Sequence, residues 1–206
     1  MTRTVVRATL AALLTCSAAA AETLRRDQPV DHDRSDVASA WFDQLYQIVK
    51  SEGTAPPPAS RIYGVAAVAL YESVVPGSAR NRSLVGQLNG LTGVPEPRRG
   101  HAYRWPAVAN AALADTVRGM FPSLTPASIA SIDALEVHFQ EQFQARRRPG
   151  ELERSVEQGK AVADAVLAWA AGDGFATYDT CPYVPVPVAG AWTIVRNVHF
   201  KERGRR

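Results

Sequence analysis

Apolar residues recur at spacings of three and four in five stretches of this chain, and no stretch alternates as a strand would. The first follows Ser35, a residue able to cap a helix, with Val37, Trp41, Leu45, Ile48 and Val49 on one face. Gly53 and the run Pro56-Pro57-Pro58 close it, because proline cannot continue a helical hydrogen-bond ladder. The second, Ala59 to Val75, is apolar around most of its circumference through Ile62, Val65, Ala66, Val68, Ala69, Leu70 and Val74. Such a helix is expected at the centre, packed by neighbours. Pro76-Gly77 ends it, and a loop follows that contains Asn81, Gly86, Asn89, Gly90, Gly93, Pro95 and Pro97, with at most one short turn at 83–88. Pro106 opens a third helix at a favoured first-turn position, running to about Gly119. Thr125 is the cap of a fourth, where Ile129, Ile132, Leu135, Phe139 and Phe143 stripe one side. Arg146-Arg147-Arg148-Pro149-Gly150 interrupts the chain. A fifth helix then spans about Leu152 to Ala171, with Val156, Val162, Ala163, Val166, Leu167 and Ala170 inward, before Gly172-Asp173-Gly174 stops it. The pattern predicts an all-α fold, a bundle of about five helices within residues 35–174.

The flanks read differently. Residues 1–21 have the three parts of a secretory signal: Arg3 and Arg7, an apolar run from Ala8 to Leu14, and small residues from Cys16 to Ala21. Cleavage after Ala20 or Ala21 is expected, giving an exported protein, periplasmic or secreted. A buried N-terminal helix is the alternative, and acylation of Cys16 a lesser one because Thr15 fits poorly before it. Residues 22–34 are charged and without apolar period, a flexible lead-in. Residues 175–192, with Pro182, Pro185 and Pro187 among valines, are expected as a proline-rich extended segment. Residues 193–206 form a basic tail.

Charge changes the picture more than composition does. The 206 residues are 46% hydrophobic and 21% charged, ordinary for a globular protein and against collagen, coiled coil or wholesale disorder. No run reaches the roughly 18 apolar residues that a membrane span needs. The net charge of +3 suggests a nucleic-acid partner, but the basic residues sit at the ends. Setting aside two basic residues in 1–21, and five basic against one acidic in 193–206, leaves 16 basic and 19 acidic, a net of −3. A nucleic-acid domain carries its basic face in the folded body, so none is expected here. The two cysteines, Cys16 and Cys181, cannot build a disulfide scaffold, and signal removal would leave Cys181 alone.

Candidate chemistry is sparse. His32, His101, His138 and His199 stand far apart, and with no His-Glu-x-x-His or paired cysteines a metal site is not expected. His32 and Asp36 are one helical turn apart, a spacing better read as chance. His138, beside Phe139, reads as a structural or edge residue. Arg99-Gly100-His101 lies in a loop and could touch an anion, against the simpler reading of a solvated turn. Arg146 to Arg148 reads as a solvated helix end. Neither a Gly-x-Ser-x-Gly elbow nor a phosphate-binding glycine loop occurs. Arg61, Tyr71 and Glu72 stand out as polar residues on the apolar second helix. They must find partners, with structural pairing favoured over direct function.

Several ordered segments carry a resemblance: Ser60 to Gly77 (SRIYGVAAVALYESVVPG), Ser83 to Leu91 (SLVGQLNGL), Tyr103 to Ala112 (YRWPAVANAA), Gly159 to Gly174, and Cys181 to Pro185. Together they resemble the N-terminal half of bacterial vanadium-dependent haloperoxidase-like proteins, of the type 2 phosphatidic acid phosphatase/haloperoxidase superfamily, over about Val37 to Trp192. The resemblance implies an exported helical bundle related to enzymes that bind vanadate or phosphate. In them Arg and Lys side chains hold the equatorial oxygens, one His is apical ligand or nucleophile, and another is the acid–base group. Converging cationic donors suit a trigonal-bipyramidal anion.

The superfamily signature is Lys-x6-Arg-Pro, then Ser-Gly-His, then Arg-x5-His, in the C-terminal half. That series does not occur. Seven residues after Lys50 is Pro57, after Lys160 is Leu167, and after Lys201 falls beyond Arg206; Ser-Gly-His is absent. No catalytic, cofactor-binding or metal residue is therefore assigned, and no cofactor is expected in this chain, vanadate being the family's. The resemblance stops near Ala191-Trp192, so residues 193–206 are read as out of frame, after a frameshift or early stop. The expectation is a truncated homologue, inactive alone, whose parent would oxidise halide with peroxide or hydrolyse phosphate esters. The rivals are an exported helical binding or scaffold domain that dimerises through an exposed apolar face, and a fragment completed by a separate catalytic polypeptide.

Overall fold

The computed structural model describes residues 30, 33–145, 149–180, 189 and 190. Among these residues all regular structure is helical, as the apolar periodicity predicts. Five α-helices follow in order: α1 (Asp36–Ser51), α2 (Pro56–Val74), α3 (Trp105–Met120), α4 (Pro126–Gln144) and α5 (Glu151–Ala171). The chain divides after Gly172 into two compact units. The first holds all five α-helices and a short 3-10 turn at Val75–Gly77. In the second, Phe175–Thr180 forms a 3-10 helix, so the extended segment expected from 175 begins no earlier than 181. The expected signal, most of the lead-in, Arg146–Arg148, Cys181 and the basic tail lie outside the described residues.

The helix starts show which local signals act. Thr125 caps α4 as expected, its hydroxyl accepting from the Ser128 N–H at 3.3 Å. Ser35 precedes α1 but makes no side-chain cap bond. The proline run 56–58 does not only end α1; it is the first turn of α2, three residues before the expected start. The first N–H groups of a helix have no intrahelical acceptor, so proline loses nothing there and its fixed φ favours the turn.

The centre of the bundle is α3 rather than α2. Twelve of its sixteen residues are buried, and it packs against every other α-helix of the unit, most extensively α5. Its alanines at 107, 109, 111, 112 and 114 let neighbours approach closely. Helix α2 buries Ile62, Val65, Ala66 and Ala69, but Gly64 and Ala67 face solvent. Val68, Leu70 and Val74, which made that helix look apolar all round, are only half-buried. On α4, Ile132, Phe139 and Phe143 are buried as the stripe predicts, whereas Ile129 at its edge is 43% exposed.

Polar contacts fix the outer helices to this centre and to one another. Arg118 on α3 bonds Asp115 at 2.9 Å and reaches Asp133 and Glu136 of α4, each at 2.6 Å. Burial works to lower the Arg118 pKa, but hydrogen bonds to Asp133 and Glu136 outweigh it and hold the group above its usual value. Glu52, just past α1, accepts through one oxygen from Ser128 Oγ (2.5 Å), Thr125 Oγ1 (2.8 Å) and Thr125 N (3.0 Å). The Ser128 bond, then those from Thr125, hold this carboxyl below its ordinary value. A depressed folded pKa contributes stability that is present above the unfolded pKa and lost as pH falls through the folded one. Thermal melts from pH 7 to pH 3 should therefore fall more steeply below about pH 4 for the wild type than for Glu52→Gln. Parallel curves would remove Glu52 from the acid response.

Candidate functional site

Between α2 and α3 the chain runs for 27 residues, 78–104, without a helix. Loops this long in a compact unit are uncommon and are often functional. This one is held along its length. Glu72, 2% exposed near the end of α2, accepts from Ser83 Oγ at 2.8 Å and from the Leu84 N–H at 2.6 Å. Tyr71 donates its hydroxyl proton to Arg82 O at 2.8 Å. Leu91 is buried, and α5 holds the middle of the loop through Trp169 Nε1 to Asn89 O (3.0 Å) and Gln158 Nε2 to Pro95 O (2.6 Å). Ser155 of α5 accepts from the Arg104 N–H at 2.9 Å, fixing the start of α3.

The loop and the end of α2 enclose a cleft of about 690 Å³. Arg98, Arg99 and His101 line it, with Tyr103 and Trp105 stacked beside them at 5.7 Å between ring centroids. The turn that presents them depends on Gly100, whose φ of +74° is one that residues with a side chain rarely adopt. The Tyr103 hydroxyl accepts from the Arg98 N–H at 2.9 Å, and His101 Nδ1 lies 3.1 Å from Arg99 O. The cleft thus mixes exposed cationic side chains with an aromatic wall of buried Trp105 and half-buried Tyr103.

The residues singled out in the sequence are sorted by these contacts. Tyr71 and Glu72 pair structurally with the loop, and Arg61 donates to Ala170 O at 2.7 Å, joining α2 to α5. Glu72 also borders the cleft. His138 is exposed, with Nε2 at 2.8 Å from Gln142 Nε2 and its ring edge-on to Phe139, an edge position as expected. Asp36 pairs with Arg34 at 2.9 Å; its neighbour His32, like His199, lies outside the described residues. One member of the expected signature does occur by itself: Arg26 is followed six residues later by His32. It stands ahead of the first helix, and both residues lie outside those described. No group of three or more His, Cys, Asp or Glu that could hold a metal is found among the described residues.

Trp105, Tyr103 and Arg98 were not foreseen as a cluster with Arg99 and His101. The available signal was local charge: 98–104 carries three arginines and a histidine and no acid, inside a body whose net charge is negative.

No family description and no curated protein matches this sequence. Among solved structures the fold is similar to that of a bacterial vanadium-dependent iodoperoxidase, with a TM-score of 0.64 and 26% sequence identity. The similarity covers 78% of this chain and 37% of that one, so the match spans just over a third of that protein's length. The five-helix unit is haloperoxidase-like in fold.

Proposed function

We propose that this chain is the N-terminal helical scaffold of a haloperoxidase-like protein and carries no halide oxidation or phosphate-ester hydrolysis by itself. The observation that supports this reading most is the partial match to the iodoperoxidase, joined to a sequence without Lys-x6-Arg-Pro and Ser-Gly-His.

A vanadate or phosphoryl centre needs several cationic donors converging from fixed elements, with a histidine nitrogen aimed at the central atom. The described residues do not fit that requirement. His101 and His138 are both exposed and sit on different elements, and each has a ring nitrogen engaged locally, with Arg99 O and with Gln142. Arg98 and Arg99 come from one exposed loop, and no second element adds cationic side chains to that cleft. The bundle instead supplies a rigid helical frame, in keeping with a scaffold role for this part of the fold.

Purified chain should oxidise iodide with peroxide, and hydrolyse an aryl phosphate, no faster with orthovanadate than a protein-free blank. Turnover that requires added vanadate, and that excess phosphate suppresses, would overturn the proposal.

A further inference from the structure

We infer that the cleft beside the 78–104 loop is a binding site for a small organic oxyanion, a molecule with a carboxylate or phosphate head and an apolar body. This inference is independent of the scaffold reading, because none of the signature residues contributes to the cleft.

Four observations carry it. The volume, about 690 Å³, is in the range of small-molecule sites. Arg98 and Arg99 both line the cleft, and neither guanidinium meets a carboxylate among the described residues. Two acids, Glu72 and Glu96, also line it, and neither forms an ion pair with these arginines among the described residues. Both oxygens of Glu72 are occupied by Ser83 and Leu84, and Glu96 makes no ion pair among the described residues.

The fourth observation is Trp105. It is only 8% exposed, yet its indole N–H makes no hydrogen bond among the described residues. A Cβ placed on Gly77 would fall 2.3 Å from that nitrogen, so the indole packs directly on this glycine while Trp105 also lines the cleft. That N–H is not among the buried groups left without a partner, so it reaches solvent and is open to a ligand oxygen. Guanidinium forks suit carboxylate and phosphate heads alike. Val75, Val85 and Val94 supply apolar wall for the ligand body.

The test is titration of the full chain with benzoate and with phenyl phosphate at constant ionic strength, following the Trp105 indole N–H by ¹⁵N NMR. A saturable shift of that resonance with at least one probe is expected. It should weaken roughly tenfold or more in the double variant Arg98→Ala/Arg99→Ala and be unchanged in Lys50→Ala, on the exposed side of α1. A response to both probes makes the oxyanion head the recognised feature, and a response to one assigns the head. The proposal is overturned by no saturable shift with either probe, by an equal shift in the double variant, or by a shift that chloride reproduces. Both arginines are exposed, so the double variant should melt as the wild type does; Trp105→Phe identifies the resonance.

Discussion

Replacing Gly159 by alanine should destabilise the bundle by about 3 kcal/mol or more, beyond the usual range for one added methyl in a packed core. The reason is what the methyl would meet. A Cβ at position 159 would lie 2.3 Å from Val108 O, 2.8 Å from Ala111 Cβ and 3.0 Å from Ala112 N. Two of these three are backbone atoms of α3, which cannot rotate aside, so α5 as a whole must move off the central helix. The contact between these helices is the most extensive in the unit, and displacing it loosens Val162, Ala163 and Val166, all buried. A domain of this kind is stable by only about 5–15 kcal/mol, so a loss of that size is a large share. Two other glycines give the comparison. At Gly119 the methyl would meet Leu167 Cδ1 at 2.5 Å, the far end of a flexible side chain, so its cost should be smaller. At Gly64, in the α2 interior, nothing lies within 4 Å, and alanine should stabilise by roughly 0.5–1 kcal/mol through helix propensity. Urea midpoints of the three variants should order as Gly64→Ala above wild type, then Gly119→Ala, then Gly159→Ala. Equal midpoints for Gly159→Ala and wild type would show that α3 and α5 do not approach this closely.

The same pair of helices explains how far the sequence could be read. Helix ends were legible because Pro and Gly act locally: Pro106 and Thr125-Pro126 open helices, and Gly172 closes one. The rank of the helices was not legible. Helix α3 is rich in alanine, and alanine carries little hydrophobic signal although it is what permits close packing, so the valine- and leucine-bearing α2 looked more central. The proline run marked a boundary, but whether it ended α1 or began α2 depended on which backbone N–H groups were already without acceptors. The candidate site shows the same divide. Glu72 was conspicuous as a carboxylate on an apolar helix, and that predicted a partner. Its partners, Ser83 and the Leu84 N–H, lie across a turn whose path no periodicity describes. The cleft is built from such a path, so its arginines could be listed from the sequence but their meeting with Trp105 could not.

Asn110 is the other hidden centre, and removing its side chain should cost about 3–4 kcal/mol. It is 1% exposed on α3, accepts from Trp41 Nε1 at 2.8 Å and donates to Glu136 O at 3.0 Å. One amide therefore joins α1, α3 and α4 inside the core. Asn110→Ala leaves the Trp41 N–H and the Glu136 carbonyl without this partner and opens a cavity beside a tryptophan that is itself 1% exposed. Asn110→Leu fills most of the space but restores neither bond, so it should recover only the cavity part of the loss. Trp41→Phe removes the donor together with its need for an acceptor. In a double-mutant cycle, Trp41→Phe with Asn110→Ala should therefore cost less than the two single changes added, by about 1 kcal/mol or more. Strict additivity in urea unfolding would mean that the two side chains are not bonded, and the attachment of α1 to the centre would rest on apolar burial of Val37, Trp41, Leu45 and Ile48.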